Sequence, residues 1–210
     1  MGAGIFITLE GIEGSGKTTQ TELLKDLLTR RGYKVVITRE PGGSPIGEKI
    51  RKILLDTSNE GMEPLTELLL YEASRYQHVR EVIEPALAAG KVVICDRFYD
   101  ASTAYQGFGR GIDIETVKHL NMVATGGRSA DLTIVLDLPV DRGLTRLGRS
   151  LDRIEAETVE FHERVRQGYL EVAATEPDRV RVVDATGPAE GVFDKVKSIV
   201  DDRLPLREAR

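Results

Sequence analysis

A stretch of eight residues near the start of the chain has the spacing needed to surround a phosphate group. It reads Gly-Ile-Glu-Gly-Ser-Gly-Lys-Thr over residues 11–18 and fits the pattern Gly-x-x-x-x-Gly-Lys-Ser/Thr. Glycines let successive backbone N–H groups turn towards phosphate oxygens, and the helix that follows adds its positive amino end. The pattern therefore predicts a P-loop (residues 11–18) that binds the phosphates of ATP through Gly11, Ile12, Glu13, Gly14, Ser15, Gly16, Lys17 and Thr18.

A second candidate lies where an apolar segment ends in an acid. Residues 91–96 read Lys-Val-Val-Ile-Cys-Asp, and Asp96 would stand at the carboxyl end of a strand beside the P-loop. There, the carboxylate of Asp96 and the hydroxyl of Thr18 would bind Mg²⁺, Asp96 either directly or through water. Apolar strands that end in aspartate are common, so this interpretation depends on the P-loop. Cys95 is interpreted as a small buried residue rather than a nucleophile.

Arginines, aromatic side chains and an amide follow the candidate strands. Such groups suit an anion, a flat ring and the edge of a base, and ligands of open parallel sheets bind outside the carboxyl ends of the strands. This favours transfer of a phosphoryl group to an acceptor over simple hydrolysis. Residues 107–111, rich in glycine, are expected to be flexible. The candidate acceptor residues are Arg39, Tyr71, Arg75, Arg97, Ser102, Tyr105 and Gln106.

The elements that must position these residues alternate between short β-branched runs and longer helical stretches. That alternation predicts an α/β fold with a five-stranded parallel sheet flanked by helices. Pro85 is expected to bend or end the third helix. The predicted strands cover residues 5–9, 34–38, 92–95, 132–136 and 180–183. The predicted helices cover residues 17–31, 46–55, 64–89, 114–124, 141–147, 156–175 and 188–203.

Length and composition limit the possible classes of protein. The 210 residues suit one domain, without repeats or a low-complexity linker, and no apolar run is long enough to span a membrane. The first residues lack a basic patch and look like a strand rather than a signal peptide. One cysteine excludes an internal disulfide and fits a reducing, cytoplasmic location.

The charge is unevenly distributed. A net charge of −5 argues against a protein that coats nucleic acid through a broad basic surface. The bases nevertheless comprise 20 arginines and nine lysines. Arginine has a planar fork of donors suited to phosphates, although from composition alone the base composition of the genome is the favoured explanation for the excess.

Together these segments resemble the bacterial thymidylate kinases, which belong to the P-loop nucleoside monophosphate kinases. The resemblance extends from residue 6 to about residue 193, and it is carried by Glu13 and by residues 38–43, 73–75, 96–107 and 151–155. It implies a P-loop NTPase fold with a short lid at about residues 146–154. It also implies an enzyme that transfers the γ-phosphate of ATP to dTMP, with Mg²⁺, to give dTDP, and that works as a homodimer.

The resemblance assigns roles at the base of the acceptor. Arg75 would bind thymine O4, and Ser102 and Gln106 would contact the edge of the pyrimidine. Tyr71 replaces the usual phenylalanine that stacks on thymine, and its hydroxyl needs a polar partner or water. Ala101 stands where relatives often have serine, which places more weight on Ser102.

The resemblance also assigns roles at the sugar and the phosphate. Tyr105 would lie under the deoxyribose and exclude a 2′-hydroxyl, and Glu13 would approach the 3′-hydroxyl. Arg97 would bind the phosphate of dTMP and align it with ATP. Arg39 and Arg51 would border the same pocket.

Four arginines follow the fourth predicted strand, at the position of a kinase lid. Such a run is commonly a solvated helix face. Because Glu13 makes the P-loop acidic, relatives of this kind supply basic groups from the lid. Arg149 and Arg153 would therefore contact the transferring phosphate, Arg146 would lie near adenine, and Arg142 would be a surface residue. Lys17, Arg97 and the two lid arginines are thus the predicted catalytic residues.

Two alternatives stay open. The first is a kinase for another nucleoside monophosphate, and the second is a nucleotide switch that hydrolyses ATP on behalf of a protein partner. A switch would leave Arg39, Arg75, Arg97 and Gln106 without a role. Residues 184–187 resemble the loop on the adenine side of the family. His78, His119 and His162 lack metal-ligand spacing and are interpreted as structural or exposed.

Overall fold

Five apolar segments form one parallel sheet in the computed structural model, which describes residues 4–148 and 150–203. The strand order is β2-β3-β1-β4-β5. All five predicted strands are confirmed, and each continues one residue further than predicted, to a charged side chain. The strands are β1 (Ile5–Glu10), β2 (Val35–Arg39), β3 (Val92–Asp96), β4 (Leu132–Asp137) and β5 (Val180–Asp184).

Helices cover both faces of the sheet. They are α1 (Lys17–Arg30), α2 (Pro45–Leu55), α3 (Pro64–His78), α4 (Glu84–Ala88), α5 (Tyr99–Ser102), α6 (Ile114–Thr125), α7 (Val140–Thr145), α8 (Val159–Thr175) and α9 (Ala189–Arg203). No helix within the described ranges is both long and apolar enough to cross a membrane.

The strands are apolar on both sides because both faces are covered. Ile7 and Leu9 of β1 pack on the side of α1 and α9, whereas Phe6 packs on the opposite side. The two faces thus divide the core between alternate strand residues. Each helix layer presses against the sheet, so the loops at the carboxyl ends of the strands have rigid supports.

Two predicted helix boundaries change for local reasons. The predicted helix 64–89 is divided, because a π-helical turn (Val79–Ile83) separates α3 from α4. Pro85 lies in the first turn of α4, where its missing N–H is tolerated. The predicted helix 156–175 begins at Val159, because the side chain of Thr158 caps it by accepting a hydrogen bond from the Phe161 N–H.

The expectation that residues 107–111 are flexible is wrong. Thr103–Gly109 continue α5 as a buried π-helical segment that packs against α8. A Cβ atom at Gly109 would lie 2.7 Å from the Phe161 ring, and one at Gly107 would lie 2.6 Å from Ile114. The glycines therefore allow close packing here rather than mobility.

Close packing also joins α7 to the P-loop. A Cβ atom at Gly143 would lie 2.5 Å from the carbonyl oxygen of Glu13, and one at Gly14 would lie 2.2 Å from the carbonyl oxygen of Gly143. Any side chain at Gly14 or Gly143 would push the P-loop and α7 apart. Two glycines therefore set the distance between these two elements.

We expect Gly143→Ala to lower the free energy of unfolding by ~1–3 kcal/mol, because the added methyl group is forced against backbone. Urea unfolding measures this. Gly61→Ala is the matched control, since a Cβ atom there meets nothing within 4 Å. Alanine ordinarily stabilises a helix more than glycine does. A loss of stability on Gly143→Ala would therefore come from the steric contact. Equal unfolding free energies for the two variants would contradict the contact.

Candidate active site

Charged residues from three neighbouring strands meet at the carboxyl edge of the sheet. Glu10, Arg39 and Asp96 end β1, β2 and β3, and Arg39 is in register with Asp96. Here a first cavity of about 320 Å³ opens. It is lined by all nine predicted acceptor residues, namely Glu13, Arg39, Arg51, Tyr71, Arg75, Arg97, Ser102, Tyr105 and Gln106.

The P-loop has the backbone that its glycines predict. Gly11, Gly14 and Gly16 have φ values of 133°, 70° and 94°, which other residues rarely adopt. The ammonium group of Lys17 donates to the carbonyl oxygens of Gly11 (3.0 Å) and Ile12 (2.9 Å). Burial and the nearby charge of Arg97 lower the pKa of Lys17 to about 8. The lysine is thus anchored on the loop, where a bound anion would favour its charged form and raise its pKa.

A second cavity of about 510 Å³ lies on the other side of the P-loop. Arg146 lines it and donates to the carbonyl oxygen of Gly14 (3.2 Å). Ala185 and Gly187, from the predicted adenine-side loop, line it as well. The first and second cavities share Gly14, Lys17 and Thr18. The P-loop therefore separates two ligand spaces that meet at its lysine.

Arg97 lines the first cavity and contacts the P-loop. Its guanidinium donates to the Gly11 carbonyl oxygen (3.0 Å) and to Glu13 Oε1 (2.9 Å), and it lies over the Tyr105 ring at 4.9 Å. Its φ of 70° is a left-handed conformation that costs a non-glycine residue ~1–3 kcal/mol. Strain of this kind persists where the surroundings hold a functional side chain in place.

The carboxylate of Glu13 is the counter-charge of this arginine. Burial alone would raise the pKa of Glu13, but the charges of Arg97 and Lys17 outweigh it and lower the pKa. The Tyr105 hydroxyl also donates to Glu13 Oε1 (2.6 Å). Glu13 Oε2 lies 3.5 Å from Nδ1 of the buried His162. Glu13 therefore stays ionised and faces the first cavity beside Tyr105.

Arg75 is fully engaged by protein acceptors. Its five N–H groups point to Glu40 (2.8 Å), Asn121 (2.9 Å), Ser102 (3.0 Å), the Phe98 carbonyl oxygen (3.3 Å) and Glu72. Burial opposes its charge, yet Glu72 and Glu40 raise the pKa of Arg75. An Arg75 N–H that binds thymine O4 would therefore be shared with one of these protein acceptors. The Phe98 carbonyl oxygen is the most distant of them.

The other predicted base contacts also line the first cavity. The hydroxyl of Ser102 accepts from Arg75, and the amide of Gln106 donates to Glu67 (2.9 Å). Tyr71, on α3, lines the same cavity, and burial raises the pKa of its hydroxyl. Ser102 also hydrogen-bonds Glu72, so protein partners hold both side chains at the wall of the first cavity.

Arg39 and Arg51 form a basic pair at the rim of the first cavity. Arg39 is half exposed and paired with Glu48 (2.9 Å), whereas Arg51 donates to the Pro41 carbonyl oxygen (2.9 Å). Burial and the charge of Arg39 lower the pKa of Arg51. Two adjacent guanidinium groups with one carboxylate leave an excess of positive charge at this rim.

Thr18 and Asp96 line the first cavity together and offer a hydroxyl and a carboxylate. Oxygen ligands of this kind suit Mg²⁺. No group of three or more acidic, histidine or cysteine side chains suited to a metal occurs within residues 4–148 and 150–203. The pair therefore fits an ion whose remaining ligands are phosphate oxygens and water, which is how Mg²⁺ is usually held by nucleotide enzymes.

The predicted lid arginines have different outcomes. The structure does not bring Arg153 to the P-loop, because its guanidinium is buried beside Glu67 (2.6 Å) and donates to the Leu54 carbonyl oxygen (2.8 Å). Glu67 draws it there because this carboxylate is fully buried and needs positive partners. Arg149 lies outside the described residues. Arg142 is exposed on α7, as predicted.

Several residues that organise the site carry no sequence signal of their own. Glu67 accepts hydrogen bonds from Gln106 and from Arg110 (3.0 and 3.1 Å), in addition to the Arg153 ion pair. Glu72 and Asn121 complete the shell of Arg75. A lone acid on an amphipathic helix is normally solvated, so its burial can be recognised only once its arginine partners are placed. His78 and His162 are buried and His119 is exposed, as the sequence indicated.

The fold and the two cavities define a class of protein, the P-loop nucleoside monophosphate kinases, which are phosphotransferases. A family model described as "Thymidylate kinase" matches residues 9–196. Thymidylate kinase from Desulfosudis oleivorans is 52% identical, over 96% of this chain and 98% of that protein. Thymidylate kinase from Desulforapulum autotrophicum is 54% identical, over 96% of this chain and 93% of its own. The chain therefore belongs to the thymidylate kinase family.

A solved structure agrees with this assignment. The crystal structure of thymidylate kinase from Ehrlichia chaffeensis superposes with a TM-score of 0.80 at 35% identity, covering 95% of this chain and 100% of that one. The predicted P-loop NTPase fold is thus confirmed.

We expect Glu67→Ala to lower the free energy of unfolding by ~3–5 kcal/mol, because Arg153 would lose its acidic partner in a buried site and Arg110 would keep only Glu157. Urea unfolding of this variant and of Glu60→Ala, an exposed glutamate, measures the difference. If both variants lose the same stability, Glu67 does not organise this region.

The same pair of proteins yields a pH test. Burial opposes ionisation, but hydrogen bonds from Arg110 and Gln106 outweigh it and lower the pKa of Glu67 from 4.5. The stabilisation is therefore present above pH 4.5 and is lost as the pH falls through the folded pKa. The stability difference between wild type and Glu67→Ala should shrink on acidification below pH 4.5.

Proposed function

We propose that this enzyme transfers the γ-phosphoryl group of ATP directly to dTMP, giving dTDP, by in-line displacement. The observation that carries the proposal is the position of Arg97, which contacts the P-loop and lines the first cavity. ATP would occupy the second cavity with its terminal phosphates at the P-loop. dTMP would occupy the first cavity with its phosphate towards Arg97. The two nucleotides then meet at Lys17.

The acceptor itself supplies the nucleophile. A phosphate monoester has a second pKa of about 6, so dTMP is largely a dianion at neutral pH and needs no general base. The barrier lies in bringing two highly charged groups into line. Lys17 and Arg97 would neutralise that charge and hold the reactants, which is how proteins catalyse most phosphoryl transfers. Mg²⁺, held by Thr18 and Asp96, would neutralise charge on the phosphates of ATP when bound.

The first cavity favours a deoxyribonucleotide with a pyrimidine base. Tyr105 lies beside Glu13, where a 2′-hydroxyl would be crowded and a 3′-hydroxyl would meet a carboxylate. Ser102 and Gln106 offer hydrogen bonds to the edge of the base, and Tyr71 offers a ring for stacking. Arg39 and Arg51 add positive charge at the rim, which attracts an anionic substrate.

The lid arginines enter the proposal unequally. Arg153 would first have to leave Glu67 before it could contact the transferring phosphate. Arg149 lies outside the described residues, and contact with the transferring phosphate stays its predicted role. Closure of residues 146–154 over the second cavity, beginning from Arg146, would exclude water and limit hydrolysis of ATP.

We infer a homodimer through α3 and α6, with the chain acting as one domain in the cytoplasm. Leu65, Leu69 and Tyr76 lie half exposed on one face of α3, and Met122 and Val123 lie more than half exposed on α6. The two helices pack together, so these side chains can form one apolar surface that a second copy would cover. The single sheet supports one domain, and the buried, unpaired Cys95 suits a reducing compartment.

The proposal is tested by coupled ADP release with and without dTMP, and by replacing dTMP with dUMP, UMP, CMP or AMP. dTMP should stimulate ADP formation most. ATP turnover that is independent of every acceptor would support the nucleotide switch instead. Preference for a purine would contradict the assignment of the first cavity.

We expect Lys17→Ala and Arg97→Ala each to lower turnover at least ~100-fold, because each removes positive charge from the transferring group. The measurement is kcat for purified, folded variants with ATP and dTMP. Arg142→Ala is the matched control, since Arg142 is exposed on α7 and should leave kcat unchanged. Near-normal turnover in either site variant would refute that residue's role.

A further inference from the structure

Glu10 is a buried acid for which the proposed reaction has no direct use. It is the last residue of β1, immediately before the P-loop, and it is fully buried. Its Oε1 accepts a hydrogen bond from the Phe98 backbone N–H (2.6 Å). Its Oε2 accepts one from the Tyr169 hydroxyl (2.9 Å). One carboxyl group therefore contacts both the loop after β3 and the helix α8.

Both contacts lead to Arg97. Phe98 follows Arg97 in the chain. The hydrogen bond to the Phe98 N–H therefore fixes the peptide bond between these two residues, next to the left-handed backbone of Arg97. The Tyr169 oxygen accepts a hydrogen bond from Arg97 Nη1 (3.0 Å). Glu10 thus restrains the backbone of Arg97 through Phe98 and the guanidinium of Arg97 through Tyr169.

Tyr169 is placed to transmit this restraint. It is 2% exposed on α8, and its ring packs edge-on against Tyr105 at 6.2 Å between centroids. Its hydroxyl is the contact between a helix on one face of the sheet and an arginine at the edge of the sheet. A phenylalanine at this position would keep the ring contacts and lose both hydrogen bonds.

We propose that Glu10 and Tyr169 are positioning residues that hold Arg97 between the P-loop and the first cavity. They touch neither substrate, and they act on the reaction through Arg97. This inference rests on the proposed function, because the position of Arg97 matters only if a phosphoryl group is transferred there. If Glu10 and Tyr169 were purely structural, their substitution would lower stability, and any effect on kcat would be the same with or without Arg97.

A double-mutant cycle separates these possibilities. Tyr169→Phe should lower kcat ~10-fold, because a small misplacement of a catalytic group costs rate, and should leave KM for ATP unchanged. In the Arg97→Ala background the same substitution should change kcat less than about two-fold, since its partner is gone. Tyr99→Phe is the matched control, as Tyr99 lies two residues from Arg97 but outside this chain of hydrogen bonds.

Glu10→Gln tests the same chain of hydrogen bonds from its other end, because glutamine keeps the volume and an acceptor oxygen for the Phe98 N–H. This substitution should lower kcat in the wild-type background and leave kcat nearly unchanged in the Arg97→Ala background. Effects that multiply in the Arg97→Ala background, or a Tyr169→Phe enzyme with normal kcat, would overturn the inference while the wild type still phosphorylates dTMP. A wild type without dTMP-dependent turnover would overturn the proposed function and this inference with it.

Discussion

The ion pair between Arg97 and Glu13 is the interaction on which the site depends. Two polyanions must approach each other, so positive charge has to stand between them, and a buried guanidinium needs a compensating acid. Glu13 meets this need from within the P-loop, where its carboxylate accepts from Arg97 at 2.9 Å. The loop that would hold ATP and the arginine that would hold the acceptor are thereby fixed to each other. The left-handed conformation of Arg97 follows from this requirement, since its side chain must turn back from the end of β3 towards β1.

The same pairing of buried bases with buried acids recurs around the first cavity. Arg75 lies between Glu40 and Glu72, and Arg110 and Arg153 share Glu67. Each guanidinium is immobilised without losing its charge, which prepares the pocket before a ligand enters. The pairing also reconciles the net charge of −5 with a basic active site. Positive charge is concentrated where two nucleotides would meet, and acids placed behind it supply the balance.

Much of this architecture follows from local sequence pattern. The five strands, the P-loop and the lining of the first cavity by Arg97, Tyr105 and Ser102 were all predictable, because apolar runs and phosphate-binding motifs are local properties. Arg153 was not, because its partner Glu67 is distant in sequence and has no motif. Gly107 and Gly109 resembled a flexible loop because the side chains that pack against them are distant in sequence or lie on another helix. Ile114 of α6 packs on Gly107, and Phe161 of α8 packs on Gly109. Contacts between residues distant in sequence could not be predicted, because tertiary packing sets them.

The two cavities would let one phosphoryl group pass directly from ATP to dTMP, with no intermediate on the protein. The most direct measurement uses ATP whose γ-phosphoryl group is made chiral with oxygen isotopes, followed by phosphorus NMR of the dTDP formed. A single in-line displacement predicts inversion of configuration at phosphorus. Retention would contradict this account, since it requires two displacements and a phosphorylated enzyme.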